Sequence, residues 1–371
     1  MPPARVGRHD RLLADFDDGR KAALARVVSI VENHRPGFDQ LLAALHPRLG
    51  RARRIGITGP PGAGKSTLTT SLVAAYRGAG STVGVVAVDP TSPFTGGALL
   101  GDRIRMESVA LDPGVFIRSM ATRGSLGGLA ATTREVADVL DAFGIDRILI
   151  ETVGVGQSEL DIARTADSSV VVLVPESGDS IQTMKAGLME IADLFVVNKA
   201  DRPGADRLRT ELELMLGLRA GNTLKNVPAH HGVDLGRALS REERLAMNPA
   251  RAAREAARDE LADAWTPPVL RTVATQGDGV SDVLDALDRH FHYLERSGKL
   301  RERRRERLRE RVVEVVENVV RRRLWQDEAI GRWLDDQLGG LETGTTNPFA
   351  VADELLERSA DTLTRARSGT T

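Results

Sequence analysis

The chain has 371 residues, beyond the length at which a single hydrophobic core usually stops growing, so a main domain with appended pieces is expected. Its 51 basic and 52 acidic side chains leave a net charge of −1, which offers no global attraction to nucleic acid or to an anionic membrane. With no cysteine, disulfides, thiolate metal sites and cysteine nucleophiles are excluded, and no apolar run approaches the roughly 20 residues of a membrane span.

The first residues are polar, with acids among the arginines, and fit neither a secretory nor a transit peptide, so a cytoplasmic location is expected. Residues 1–50 read as an N-terminal helical extension. Leu12, Leu13, Phe16, Ala23, Leu24, Val27, Val28 and Ile30 recur at helical spacing until Pro36 breaks the pattern. From residue 51 to about 295 the texture is that of an α/β domain. Short β-branched runs at Ile55–Thr58, Val83–Val88, Arg147–Ile150, Val170–Val174, Leu194–Val197 and Val269–Val273 alternate with helical stretches. Runs this apolar predict mostly parallel strands covered on both faces, a doubly wound sheet that binds ligands at the carboxyl ends of its strands.

Directly after the first run comes Gly59-Pro60-Pro61-Gly62-Ala63-Gly64-Lys65-Ser66-Thr67, a match to G-x-x-x-x-G-K-[ST] between a strand and a helix. Glycines let such a loop aim successive backbone N–H groups at a β-phosphate, and the helix start adds its positive dipole end. The Lys65 ammonium then suits the β- and γ-phosphates, and the Ser66 hydroxyl suits magnesium. Asp89 ends the second run, and Asp102 lies in the glycine-bearing stretch after it; both are candidate magnesium-side acids. The fourth run delivers Glu151, where small GTPases carry Asp. Gly154 follows where a backbone N–H could meet a γ-phosphate, and Gln157 is a candidate for orienting water. Arg105, Arg118 and Arg123 are candidates for stabilising transition-state charge.

Further along, Asn198-Lys199-Ala200-Asp201 closes the run Leu194–Val197 as an N-K-x-D motif. A carboxylate at Asp201 can accept from the N1–H and amine of guanine. Adenine would leave it unpaired, at about 1–3 kcal/mol for each unsatisfied group, so GTP is expected over ATP. Lys199 would cover the base, and Asn198 would tie this loop to the phosphate loop. Residues 205–265 predict helices on the sheet. Residues 296–371 read as a C-terminal helical arm in which the alternating Arg301–Arg311 segment is a solvated helix rather than a nucleic-acid arm. His230-His231 and the His290/His292 pair raise the alternative of a metal-delivery GTPase, although neighbouring histidines do not share a helix face.

Laid out together, these residues closely resemble the MeaB/ArgK-type GTPases, methylmalonyl-CoA mutase-associated chaperones of the SIMIBI class of P-loop proteins. The resemblance covers nearly the whole chain and is carried by Gly59–Thr67, Val88–Met106, Phe116–Ala130, Glu151–Glu159 and Asn198–Asp201. It implies that Asp89, Asp102 and Glu151 stand around magnesium, with Asp102 opening the first switch. It also implies a third switch, Gly178 to Lys185, in which Asp179, Gln182 and Lys185 couple nucleotide state to the partner. The implied partner is a B12-dependent acyl-CoA mutase, with an adenosyltransferase supplying the cofactor, and the implied assembly is a homodimer through the C-terminal arm, including Trp325, Trp333 and Asn347–Glu357. An older label in the same family implies an amino-acid-transport kinase instead. The loop Val273-Ala274-Thr275 departs from the family's Ser-Ala, so only the Ala274 backbone contact carries over. Residues 221–254 match no family pattern.

Overall fold

The computed structural model describes residues 9–89, 106–121, 126–152, 162, 164–175, 187–219 and 264–360. It divides into two compact units, residues 1–301 and 302–371. Within the first, three helices, α1 (Asp10–Asp17), α2 (Lys21–Glu32) and α3 (Phe38–Leu45), precede β1 (Arg53–Thr58), α4 (Lys65–Gly78), β2 (Val83–Asp89), the short α5 (Glu107–Ala110) and β3 (Val115–Ala121). There follow α6 (Leu126–Phe143), β4 (Arg147–Thr152), β5 (Ser168–Leu173), the single turn α7 (Met189–Ile191), β6 (Leu194–Asn198), α8 (Ala205–Arg219), β7 (Val269–Thr272) and α9 (Val280–Arg296).

The seven strands form one sheet in the order β3-β2-β4-β1-β5-β6-β7, and every pairing is parallel. Alternation along each strand explains why both faces are covered. Leu194 and Val196 of β6 join the core beneath α4 and α9. Phe195 and Val197 point the other way, into the core beneath α8. The rest of that second face packs against α2 and α6 through Leu24, Val28, Val136 and Leu140. Movement from β1 to β2 and β3 runs towards one edge, and movement from β3 onward runs towards the other. Right-handed crossovers therefore place α4 on one face and α6 and α8 on the opposite one. The connections diverge around the carboxyl end of β1, the crevice where doubly wound sheets bind ligands.

One strand is absent from the sequence reading. Val115–Ala121 carries Arg118 and Ser119 in its middle and is an edge strand with a single neighbour, so it lacks the apolar run of a central strand. The entry to β1 is fixed by charge. The Asp141 carboxylate accepts from the backbone N–H groups of Gly50, Arg51 and Ala52 at 2.9, 3.1 and 2.9 Å. Arg54 donates to Asp138 and Asp141 at 2.8 and 3.1 Å. Burial alone would lower the Arg54 pKa, but these carboxylates outweigh it and hold the guanidinium above its usual value.

The second unit contains the remainder of α10 (Lys299–Trp325), then α11 (Glu328–Thr343) and α12 (Pro348–Arg358). Asp327 and Asn347 cap α11 and α12 by accepting from backbone N–H groups in their first turns. Leu324, Ile330 and Leu355 make a small core, with Trp333 packed on it and the Arg358 guanidinium 5.1 Å from the Trp333 ring centre. Val312, Val313, Val315, Val316 and Trp325 are exposed. No helix among the described residues is long and apolar enough to cross a membrane.

Candidate nucleotide site

Three glycines shape the loop that follows β1. Gly59, Gly62 and Gly64 have φ of 138°, 75° and 85°, a region that side chains other than glycine rarely adopt. Space is also lacking at two of them. A Cβ at Gly59 would sit 2.1 Å from the Val172 carbonyl oxygen, and one at Gly64 would sit 2.3 Å from Nδ2 of Asn198. The loop runs straight into α4, whose first turn has no side-chain cap, so its N–H groups remain a positive helix end directed at this crevice. Lys65 and Ser66 are both buried at that helix start, and Lys65 Nζ donates to the carbonyls of Gly59 and Pro60 at 2.8 and 3.0 Å.

Across the crevice, β4 delivers Glu151, itself 4% exposed. Its Oε1 accepts from the Ser66 hydroxyl at 2.6 Å and its Oε2 from the Thr69 hydroxyl at 2.9 Å. Behind this pair, the Thr152 and Thr58 hydroxyls are 3.0 Å apart. Asp89 closes β2, whose Ala87 lies opposite Glu151 in the register, so the backbone brings the second acid to the same end of the sheet. A buried hydroxyl beside a carboxylate is an all-oxygen donor set, suited to a hard cation that keeps several waters and takes its other ligands from phosphate. The residues present thus fit magnesium.

The base side is built at the ends of β6 and β7. Asn198 is buried and makes three contacts: Nδ2 donates to the Ala63 carbonyl at 2.8 Å, while Oδ1 accepts from the Thr272 hydroxyl at 3.0 Å and from Ala274 N–H at 3.1 Å. Lys199 has a φ of 55°, uncommon for a residue with a side chain, and its Nζ donates to the Gly62 carbonyl at 2.9 Å. Ala200 N–H donates to the Thr272 carbonyl at 3.0 Å, which pins the turn that presents the exposed Asp201 carboxylate. A further tie escaped the sequence reading: the Ser71 hydroxyl of α4 donates to the Ala274 carbonyl at 2.9 Å.

The structure therefore brings Gly59–Thr67, Glu151, Asn198, Lys199, Asp201 and Ala274 to one end of the sheet. Asp102, Gly154, Gln157, Asp179, Gln182 and Lys185 lie outside the described residues, as do Arg105, Arg123 and His230-His231. One expectation is corrected. Arg118 pairs with Glu32 of α2, through a 2.8 Å bond from Nε and a second bond from Nη2, so it ties the edge strand to a helix instead of standing free to meet a phosphate. His290, one of the histidines weighed for the metal-delivery alternative, is fully buried. Its Nδ1 is 2.8 Å from the Ser168 hydroxyl, and its ring is packed 4.8 Å from that of Trp265. Its Nε2 stands 3.2 Å from Asp193 Oδ1, within ion-pair range but off line for a hydrogen bond.

Comparison with known proteins agrees with this geometry. A family model described as "Methylmalonyl Co-A mutase-associated GTPase MeaB" matches residues 24–329. The chain is 44% identical to a Pyrococcus abyssi protein whose name describes a GTPase, over 94% of this chain and 96% of that one. It is 33% identical to the GTPase ArgK of Escherichia coli, over 91% and 93%. It is 30% identical to the mitochondrial methylmalonic aciduria type A homolog of Mus musculus, over 94% and 79%. Among solved structures, that of a LAO/AO transport system kinase aligns with a TM-score of 0.60 at 26% identity, covering 94% of this chain and 97% of the other.

Proposed function

Because the chain belongs to the methylmalonyl-CoA mutase-associated GTPase family MeaB, we propose that it couples GTP hydrolysis to the loading and protection of adenosylcobalamin in a B12-dependent acyl-CoA mutase. The family match across residues 24–329 carries this reading, since it extends well beyond the phosphate and base motifs. The mutase is methylmalonyl-CoA mutase or a close relative, and an adenosyltransferase is the source of the cofactor.

GTP and water give GDP and phosphate. The loop Gly59–Thr67 would hold the β-phosphate through its backbone N–H groups, with Lys65 neutralising charge on the β- and γ-phosphates. Asp201 reads the guanine edge, the Lys199 stem covers the base, and Ala274 contributes its backbone. Ser66 and Glu151, with Asp89 and Asp102, would hold magnesium, which when bound offsets charge developing on the transferred phosphoryl group. Gly154 and Gln157 serve the γ-phosphate and the attacking water, and Asp179, Gln182 and Lys185 report nucleotide state to the mutase. The exposed valines of α10 and Trp325 suit a homodimer contact in the C-terminal unit.

The test is GTP turnover by the purified chain, alone and with a titration of adenosylcobalamin-dependent acyl-CoA mutases. Saturable acceleration by one mutase, together with a complex on size-exclusion chromatography, is expected. No acceleration and no complex with any of them would sink the proposal. The transport-kinase name carried by the aligned structure supports a second reading, phosphate transfer to a protein. GTP labelled at the γ-position separates the two, because hydrolysis releases free labelled phosphate and a kinase leaves stoichiometric label on protein.

A further inference from the structure

Glu151 occupies a position where a shorter acid would be held by fewer torsions. A glutamate carries one more rotatable bond than an aspartate, and freezing such a bond costs a fraction of a kcal/mol or more. Its carboxylate must therefore be fixed from outside if it is to present one oxygen reproducibly. Ser66 grips Oε1 at 2.6 Å, but that hydroxyl is also the expected magnesium ligand. The second grip comes from Thr69, which is fully buried and donates to Oε2 at 2.9 Å.

Thr69 lies three residues after Ser66 on α4, a spacing that makes the two neighbours on the helix surface, and both reach Glu151 of β4. Its hydroxyl is also 2.9 Å from the Lys65 carbonyl, the back-bond that helical threonines commonly make. One proton cannot serve both acceptors fully, and an ionised carboxylate is the stronger one. The geometry points to Thr69 as a positioning residue for magnesium: it locks the Glu151 carboxylate through Oε2 and so leaves the Ser66 side of the group oriented to the ion. Thr69 has this role only if Glu151 serves the magnesium side of the site, as proposed above.

The experiment uses the full chain and four variants: Thr69→Val, which removes the hydroxyl at nearly constant shape, Thr69→Ala, Thr69→Ser, and Glu151→Gln. The readouts are GDP affinity as a function of magnesium concentration, GDP affinity in a chelator, and melting temperature. Thr69→Val and Thr69→Ala should raise the half-saturating magnesium concentration about tenfold, the loss expected for one hydrogen bond to a charged group. Their GDP affinity in chelator should match that of the unsubstituted chain. Thr69→Ser should restore the magnesium dependence to within about twofold. If the threonine merely back-bonds its helix, Thr69→Val will lower the melting temperature without moving the magnesium curve, and the inference is overturned. It is equally overturned if Thr69→Ser behaves as Thr69→Val does. Should Thr69→Val fail to fold, the Ala and Ser variants make the same comparison. Glu151→Gln separates the two levels: an unchanged magnesium curve in that variant refutes the Glu151 assignment itself, whereas a weakened curve there with an unchanged one in Thr69→Val refutes Thr69 alone.

Discussion

Replacing Asn198 with alanine should loosen the phosphate and base sides of the site together. The side chain is 3% exposed and makes three hydrogen bonds, to the Ala63 carbonyl, the Thr272 hydroxyl and the Ala274 N–H, at 2.8, 3.0 and 3.1 Å. At about 1 kcal/mol for each neutral bond, the loss is about 3 kcal/mol. The first unit has 301 residues, and an unfolding entropy of about 2 cal/mol/K per residue turns that loss into a fall in Tm of about 5 °C. GDP would then bind to loops it must first set in place; a cost of about 1.4 kcal/mol for that ordering weakens Kd tenfold. Differential scanning calorimetry gives the first quantity and titration calorimetry with GDP and magnesium the second. A Tm drop below about 1 °C with unchanged GDP affinity would show that Asn198 ties nothing together.

Asp201→Asn should move base preference from guanine towards xanthine nucleotides, whose C2 carbonyl accepts from an amide; competition between GDP and XDP measures it, and unaltered preference refutes the base assignment. Gly59→Ala sets a Cβ 2.1 Å from the Val172 carbonyl at a φ of 138°, so Tm should fall and nucleotide binding should be lost; a soluble variant that binds GDP normally contradicts the loop geometry. Burial pushes the Tyr76 hydroxyl up to about 12, so the folded chain holds that proton more tightly than the unfolded one. The stabilisation is complete below the unfolded value of about 10 and is lost as pH rises through the folded value. Tyrosinate absorbance in a Tyr293→Phe background isolates Tyr76, and a midpoint near 10 in the still-folded chain would be the wrong result.

Six of the seven strands were legible because each is a short β-branched run buried on both faces. Their ends were not, since Ser168, Thr152 and Asn198 are polar residues held in the sheet by backbone pairing. β3 was missed for a related reason. Arg118 is tolerated at the sheet edge because Glu32 of a distant helix receives it, and no local pattern announces such a partner. In the site, the phosphate loop and N-K-x-D are contiguous in sequence, and local geometry dictates their spacing. Thr69 and Glu151 are 82 positions apart, so their contact is a product of the fold. One local signal did exist: Thr69 stands three residues after Ser66, next to it on the helix surface. His290 shows why proximity in sequence is a weak signal: a histidine two positions from another offers no shared helix face, and its ring packs beside Ser168 and Trp265.

Among the described residues, three cross-ties join the two halves of the candidate nucleotide site. Asn198 reaches Ala63, Lys199 reaches Gly62, and Ser71 of the phosphate-side helix reaches Ala274 of the loop after β7. Each joins a segment on the phosphate side to one on the base side, and Asn198 and Ser71 converge on the same residue, Ala274, through its N–H and its carbonyl. A loop held at both polar groups of one residue has little freedom to shift, so these ties fix the spacing between the phosphate loop and the N-K-x-D loop. If Asp201 accepts from guanine as proposed, selectivity would follow from this geometry as well as from its carboxylate: a base placed by phosphates seated in the loop would meet the acceptor at a fixed distance, and a base that cannot fill it would leave the carboxylate unpaired.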